Sequence, residues 1–379
     1  MTKTTSKDIT RRSALGYFGI GVGATMLSAM PGLSRAQAAA TVEEAVEWAR
    51  LNLPNSTPDI VNGAAKEGRL VLTMQRFLDD TAMARLIDAF KAHYPFLDVE
   101  YTLQNSSGFT KKFTAEVSSG KGISDYLQLP SDLKESGGYI TQGAIAEFVV
   151  SQDAAFPEIA KRSGTWYAWL RQHSTTVYRK DALTDEEKQL VRSYEGLGDP
   201  RFKGRLGINN ISTSVVSAGS YVLQKHSDPG IWEGIVANEP MVRGSSSQLM
   251  EGLLSGGYDI SLMSGFPTAV GAALSGAPIE FGVSIRSPVL YAPGAVSALA
   301  PNPNAARLFQ DWAMSQEGQN LWVELTGTIS SRDDVAKAWC QQQPWFFDDP
   351  STHVALDWDD FSEKNQAVVD KYQAELQQG

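Results

Sequence analysis

The chain has 379 residues, 33 of them basic and 43 acidic, for a net charge of −10. That acidic balance disfavours phosphate backbones, which excludes nucleic acid as a partner. Its one cysteine, Cys340, cannot form an internal disulfide, so a packed core must hold the fold.

The chain opens on a leader. Lys3 and Lys7 precede Thr10-Arg11-Arg12-Ser13-Ala14-Leu15, and a weakly apolar run follows from Gly16 to Met30. Gly19, Gly21 and Gly23 interrupt that run, which falls short of the ~20 apolar residues of a spanning helix and reads as a removable signal. The paired arginines match the twin-arginine pattern except at Ala14, where Phe is usual. Ala36-Gln37-Ala38 and Ala38-Ala39-Ala40 offer small-x-small cleavage registers, and the expected leader is residues 1–38. Its removal takes away Lys3, Lys7, Arg11, Arg12 and Arg35 against one acid, Asp8, leaving −14. About 340 residues remain, more than one core usually serves, so two domains are expected.

Residues 41–51 read as a short helix with an acidic first turn, ahead of a Pro/Asn/Ser loop at 53–58. Residues 70–74 (LVLTM) are an apolar run of strand length. The segment 79–93 then sets Met83, Leu86, Ile87 and Phe90 on one helical face, and 97–103 alternates as a second strand. Strand, helix and strand in about 35 residues form a βαβ unit and imply a parallel sheet. The pattern continues with helices at 109–118 and 132–142, strands at 125–129, 168–178 and 205–209, and helices at 215–225 and 247–254. Strands follow at 258–263 and 279–283, strands with a Pro-Gly turn over 287–299, and helices over 304–325 and 361–376. No period of 20–50 residues repeats, so this is a large α/β protein and neither a solenoid nor a propeller.

Catalytic signatures are missing. There is no Gly-x-Ser-x-Gly elbow, no His-Glu-x-x-His, no P-loop and no Gly-x-Gly-x-x-Gly after a strand. The histidines His93, His173, His226 and His353 lie far apart, none with a second ligand type at metal spacing, and three of them read as surface residues. Neither a metal nor a cofactor is expected.

Small polar clusters instead follow the predicted strands: Gln75-Arg76, Asn105-Ser106-Ser107-Gly108, Ser131-Asp132, Gln172-His173-Ser174, Asn209-Asn210 with Ser212-Thr213-Ser214, Ser245-Ser246-Ser247 and Ser264-Gly265-Phe266. In an open α/β sheet the loops outside the carboxyl ends of strands converge on one crevice. Several clusters precede helices, so backbone donors and a positive dipole end would face that crevice, and an anion is the natural occupant. Single clusters of this composition also cap helices everywhere, so the argument rests on their recurrence. A guanidinium at Arg76 would hold a carboxylate or phosphonate bidentately. Tyr167, Trp169, Phe266 and Tyr291 are aromatic candidates for the lining.

With these residues on the page, the chain resembles the extracellular solute-binding proteins of ABC importers, in the branch with ferric-ion-binding and aminoethylphosphonate-binding members. Gly68-Arg69-Leu70-Val71-Leu72 and Leu97-Asp98-Val99-Glu100 match the family's opening, and Ser124-Asp125-Tyr126-Leu127-Gln128 its third strand. Trp166-Tyr167-Ala168-Trp169 through Val177-Tyr178-Arg179-Lys180 looks like the first interdomain crossing, and Asp199-Pro200-Arg201-Phe202-Lys203-Gly204 the start of the second domain. Leu253-Leu254-Ser255-Gly256-Gly257-Tyr258-Asp259-Ile260, Ser315-Gln316-Glu317-Gly318-Gln319 and Leu356-Asp357-Trp358 are similarly typical.

The resemblance implies a type II periplasmic-binding fold of two lobes, 60–173 plus 287–379 and 175–285, each a mainly parallel sheet flanked by helices. Hinge crossings fall near Ser174 and Arg286. It implies a monomer in the periplasm that hands its solute to an ABC permease. Ferric-binding relatives use adjacent tyrosines where this chain has Phe266 and Pro267, and an imidazole where it has Gln75-Arg76, so the anionic oxygen ligands of ferric iron are missing there. The expected solute is therefore a small organic anion, a carboxylate or a phosphonate or phosphate. Its expected contacts are Gln75, Arg76, Ser106, Ser107, Ser131, Gln172, His173, Ser212, Thr213 and Ser214, with His173 pH-sensitive and Phe266 an apolar wall. Ferric iron held by other ligands or with a synergistic anion is the alternative. An exported enzyme on the same fold would need an acid/base set, for which the crevice loops supply only Asp132 and His173. A sensory presenter of the solute is a further alternative.

Overall fold

The computed structural model describes residues 41–130, 138–210, 219, 230–282, 288–346, 354–355, 364, 367 and 370–376. The expected leader and the helix expected at 215–225, except residue 219, lie outside them, as does the first part of the helix expected at 132–142. Among the described residues no helix is long and apolar enough to cross a membrane.

Helix α1 (Val42–Asn52) starts at a capping box in which Thr41 and Glu44 satisfy each other's backbone N–H groups. Helix α2 (Pro58–Glu67) was not foreseen, although Pro58 at its first turn and left-handed Gly68 after its last are the usual bounds of a helix. Strand β1 (Arg69–Gln75), helix α3 (Asp80–His93) and strand β2 (Asp98–Gln104) form the expected unit, with β1 and β2 parallel over their full length. Helix α4 (Ser106–Ser119) begins earlier than expected because Asn105 caps it, accepting from Gly108 N–H at 2.8 Å. Strand β3 (Tyr126–Gln128) lies parallel to β1 on the side away from β2.

After the short β4 (Lys161–Arg162), strand β5 (Trp166–Arg179) runs for 14 residues. Helices α5 (Asp185–Leu190) and α6 (Tyr194–Leu197), strand β6 (Leu206–Asn209), helix α7 (Gly230–Ala237), strand β7 (Met241–Arg243) and helix α8 (Ser246–Leu254) follow. Then come strand β8 (Ile260–Gly265), helix α9 (Phe266–Leu274), strand β9 (Ile279–Gly282), strand β10 (Pro288–Val296), helices α10 (Pro303–Ala313) and α11 (Gln316–Thr326), and β11 (Val354–Ala355).

The main path through the sheet is β2-β1-β3-β10-β5-β8-β6-β7, and β5 belongs to both of its halves. Residues 167–173 of β5 pair antiparallel with β10, and residues 174–179 pair antiparallel with β8 and β9. Separate apolar clusters cover the two halves. One gathers Leu72, Phe90, Tyr126, Trp169, Phe309 and Trp322, and another Tyr178, Phe202, Ile208, Trp232 and Ile260.

Three expectations need correction. Residues 287–299 do not turn at Pro293-Gly294. β10 continues through them with a bulge between Tyr291 and Pro293, paired with β3 and β5 on its two sides, and position 294 is glycine because a Cβ there would collide with Tyr126 Oη and Trp169 Nε1. The helix expected over 304–325 is two helices, broken where Ser315 caps α11 by accepting from Gly318 N–H at 3.2 Å. His93 is no surface residue: it is 1% exposed, stacked on Trp48 at 3.7 Å and bonded to Glu317 at 2.8 Å. His226 and His353 lie outside the described residues.

The end of the chain packs on the half built around β8. Ile329, Ala338 and Cys340 pack with Val177, Phe266 and Phe281, and Tyr372 packs with Trp232, all residues of the half built around β8.

Candidate functional site

Strand directions decide where the polar loops meet. β1 and β3 are parallel, β10 runs against β3, and β5 runs against β10, so β1, β3 and β5 advance the same way. The carboxyl ends of β1 and β3 therefore lead toward the middle of β5. From the other side, β8 runs against β5 with Gly265 opposite Ser174, and β6 is parallel to β8. The carboxyl ends of both half-sheets thus face His173 and Ser174, where β5 exchanges one partner set for the other.

On the first side Gln75, Gln128 and Ser106 form one polar chain. Gln75 N–H donates to Gln128 Oε1 at 3.0 Å, Gln75 Nε2 donates to the Gln128 carbonyl at 3.3 Å, and Ser106 Oγ donates to Gln75 Oε1 at 3.3 Å. Because a backbone N–H can only donate, the Gln128 amide is fixed with Oε1 toward Gln75, and its buried Nε2 has no hydrogen-bond partner among the described residues. On the second side Asn209 Nδ2 donates to Ser246 Oγ at 3.0 Å, and Ser261 and Ser264 share a hydrogen bond. Met263, just before Ser264, has φ 47° and is fully buried. That left-handed residue and the register shift between Thr175 and Val177 re-aim the end of β8.

Helix N-termini follow these strands. α4 is capped by Asn105, and α8 by Ser245, which accepts from Gln248 N–H at 3.3 Å. α9 begins at Gly265-Phe266-Pro267 with no side-chain cap. Their positive ends lie at the carboxyl edge of the sheet. Among the described residues no group of three His, Cys, Asp or Glu side chains could hold a metal ion.

Residues 80–324 match a known family, the bacterial extracellular solute-binding proteins. The chain belongs to that family. No curated protein matches it by sequence. Among solved structures it is similar to the substrate-binding protein of an ABC transporter from Agrobacterium tumefaciens, with 19% identity, a TM-score of 0.67 and coverage of 81% of this chain and 95% of that one. It is similar to iron-bound HitA from Pseudomonas aeruginosa, at 14% identity and a TM-score of 0.64 over 80% and 99% of the two chains. Trichodesmium IdiA (FutA), solved in complex with iron and citrate, gives 17%, 0.62, 81% and 99%. These likenesses establish the fold, that of the type II periplasmic binding proteins.

Within this solute-binding protein the foreseen residues separate into groups. Gln75 and Ser106 meet through their side chains, and Gln172 and His173 are adjacent on β5 beside its change of partners. The His173 ring meets Phe266 edge to face at 5.6 Å. Phe266 is only 3% exposed and packs among Val177, Leu249 and Val270, so it backs His173 more than it offers a wall. Arg76 is exposed and stands apart from the Gln75 chain, its guanidinium donating to the Leu103 carbonyl at 3.3 Å. Ser131, Ser212, Thr213 and Ser214 lie outside the described residues, as does the side chain of Ser107 in the first turn of α4. Gln128 was not foreseen, and its one signal is an amide closing the otherwise apolar run Tyr126-Leu127-Gln128-Leu129.

Proposed function

We propose that this protein is the periplasmic substrate-binding component of an ABC importer, capturing a small organic anion between two lobes and delivering it to a membrane permease. The observation that carries the reading is the convergence of the carboxyl ends of β1, β3, β6 and β8 on His173 and Ser174 of β5, with helix N-termini following them. Neutral donors and helix ends suit a carboxylate or a phosphonate or phosphate. The lobes are 60–173 plus 287–379 and 175–285, amended by the tail segments that pack on the second. The two hinge crossings of this reading are at Ser174 and near Arg286, the second outside the described residues. Export through the twin-arginine pathway, a monomeric state and the lack of catalysis belong to the same reading.

Calorimetric titration with a panel of carboxylates and phosphonates tests it. Binding of one class at micromolar affinity or better supports it, and high-affinity ferric iron with no organic anion bound sinks it. A second reading, iron held together with an anion, draws support from the iron-and-citrate complex of the Trichodesmium neighbour. Binding that requires ferric iron and citrate together would favour it. Permease and ATPase genes encoded beside this one would favour import over sensory presentation, and their absence would disfavour it.

A further inference from the structure

Five rings from four segments make an unbroken series of contacts from the change of partners on β5 to the tail of the chain. His173 of β5 meets Phe266, the first residue of α9, at 5.6 Å and 75°. Phe266 meets Phe281 of β9 at 6.4 Å and 75°. Phe281 lies flat on Trp345, with centroids 3.9 Å apart and planes 8° apart. Trp345 in turn meets Trp339 at 5.9 Å. The three edge-to-face contacts and the stack are geometries that aromatic quadrupoles favour over random packing.

The two ends of the series are held differently. Phe266 and Phe281 are 3% and 6% exposed inside one apolar cluster, so neither ring can move without displacing the other. Trp345 is half-buried at the surface, on a turn closed by Phe346 N–H donating to the Gln343 carbonyl at 3.0 Å and Gln343 N–H donating to the Cys340 carbonyl at 3.2 Å. Cys340 N–H donates to the Gly327 carbonyl at 3.2 Å, which ties that turn to the end of α11. A Cβ at Gly327 would touch Leu274 and Val270 of α9 as well as Trp339, so the tail closes over α9 and β9 together.

We propose that Trp345 is a positioning residue for the candidate site: by stacking on Phe281 it holds Phe266, and through Phe266 it sets the orientation of the His173 ring. The inference rests on the reading that His173 borders the ligand. It gives a reason for the aromatic cluster packed against β9 and α9. It also gives the tail, which the sequence assigned to the other lobe, a specific task on the second half.

The test reads the histidine rings of the full chain without added ligand. With 15N-labelled histidine and the four imidazoles assigned by single His→Gln variants, Trp345→Ala is expected to move the His173 ring signals. Those of His93, which stacks on Trp48 in the other half, should stay in place. Trp345→Phe keeps a stacking ring and should restore the His173 signals. Unmoved His173 signals in folded Trp345→Ala overturn the proposal, and so does equal movement of His93, which would mean general loosening. If Trp345→Ala does not fold, Trp345→Leu replaces it with the same outcomes. Titration with citrate and, separately, with 2-aminoethylphosphonate adds a second readout. Where the native chain binds either, Trp345→Ala should bind it about threefold or more weakly, and Trp345→Phe normally. Native binding left unchanged by Trp345→Ala overturns the proposal. Failure of the native chain to bind any anion removes the anion reading and leaves the ring signals to decide the positioning role.

Discussion

Gln75 and Gln128, at the ends of two parallel strands 53 positions apart, are joined twice, by a backbone N–H to a side-chain amide and by a side-chain amide to a backbone carbonyl. The ladder between β1 and β3 ends at Thr73 and Leu127, and these two bonds extend it by side chains. Gln128→Ala leaves Gln75 N–H buried without its acceptor. The expected loss is about 1–3 kcal/mol of stability, read as a lower midpoint in urea denaturation. An unchanged midpoint would show that water replaces the amide.

Gly294 of β10 faces Tyr126 and Trp169, whose side chains are themselves bonded, Trp169 Nε1 donating to Tyr126 Oη at 2.8 Å. Gly294→Ala forces a methyl group between them. Overpacking of this kind costs about 1–3 kcal/mol, and breaking the indole–phenol bond adds to it. Thermal unfolding should show a clear drop in Tm. Retention of the native Tm would mean that β10 shifts away freely.

Glu116 is 3% exposed, and burial pushes its carboxyl up, but Lys112 and the N–H groups of Ile123 and Ser124 outweigh burial and hold it below its ordinary value of 4.5. A carboxyl lowered in the folded state contributes stability above its unfolded value, and that contribution is lost as pH falls through the folded value. Glu116→Gln should therefore destabilise the protein at neutral pH and differ less and less from the native chain on acidification through the glutamate range. Denaturant midpoints measured across that range check the sign. A gap that widened toward acid would contradict it.

Arg76 keeps guanidinium N–H groups exposed beside the start of α4 while donating once to Leu103. If it contacts the anion, Arg76→Ala should weaken binding at least about tenfold, on the order of 1.4 kcal/mol, by calorimetry. Unchanged affinity would place the charge outside the site.

Much of the fold was legible because long periodic segments speak for themselves. The βαβ start and the alternation of strands with helices follow from apolar spacing, and β5, read as 168–178, extends to 166–179 in the fold. What was missed has local causes. Pro293-Gly294 looks like a turn, but its glycine is required by a close approach to Trp169 that only the folded sheet creates. α9 has no capping side chain, and Pro267 in its first turn was its one start signal.

The site was less legible than the fold. The cluster rule named Gln75, Ser106, Asn209 and His173, the last of which lies inside β5 and not after a strand end, and it passed over Gln128, which sits within an apolar run and shows its polar role only through its bonds to Gln75. His93 was misjudged because its burial comes from Trp48, a residue on a different helix 45 positions earlier.

The sharing of β5 has a consequence for synthesis. The first apolar cluster joins residues as early as Ala45 to residues as late as Trp322, whereas everything between β5 and β10 lies inside that span. A ribosome must therefore deliver the whole second half before the first can close its core, and closing so long a loop is slow. The half that begins the chain is among the last parts to finish folding, and until then β1, β2 and β3 lack β10 on their inner edge and the late helices over their face.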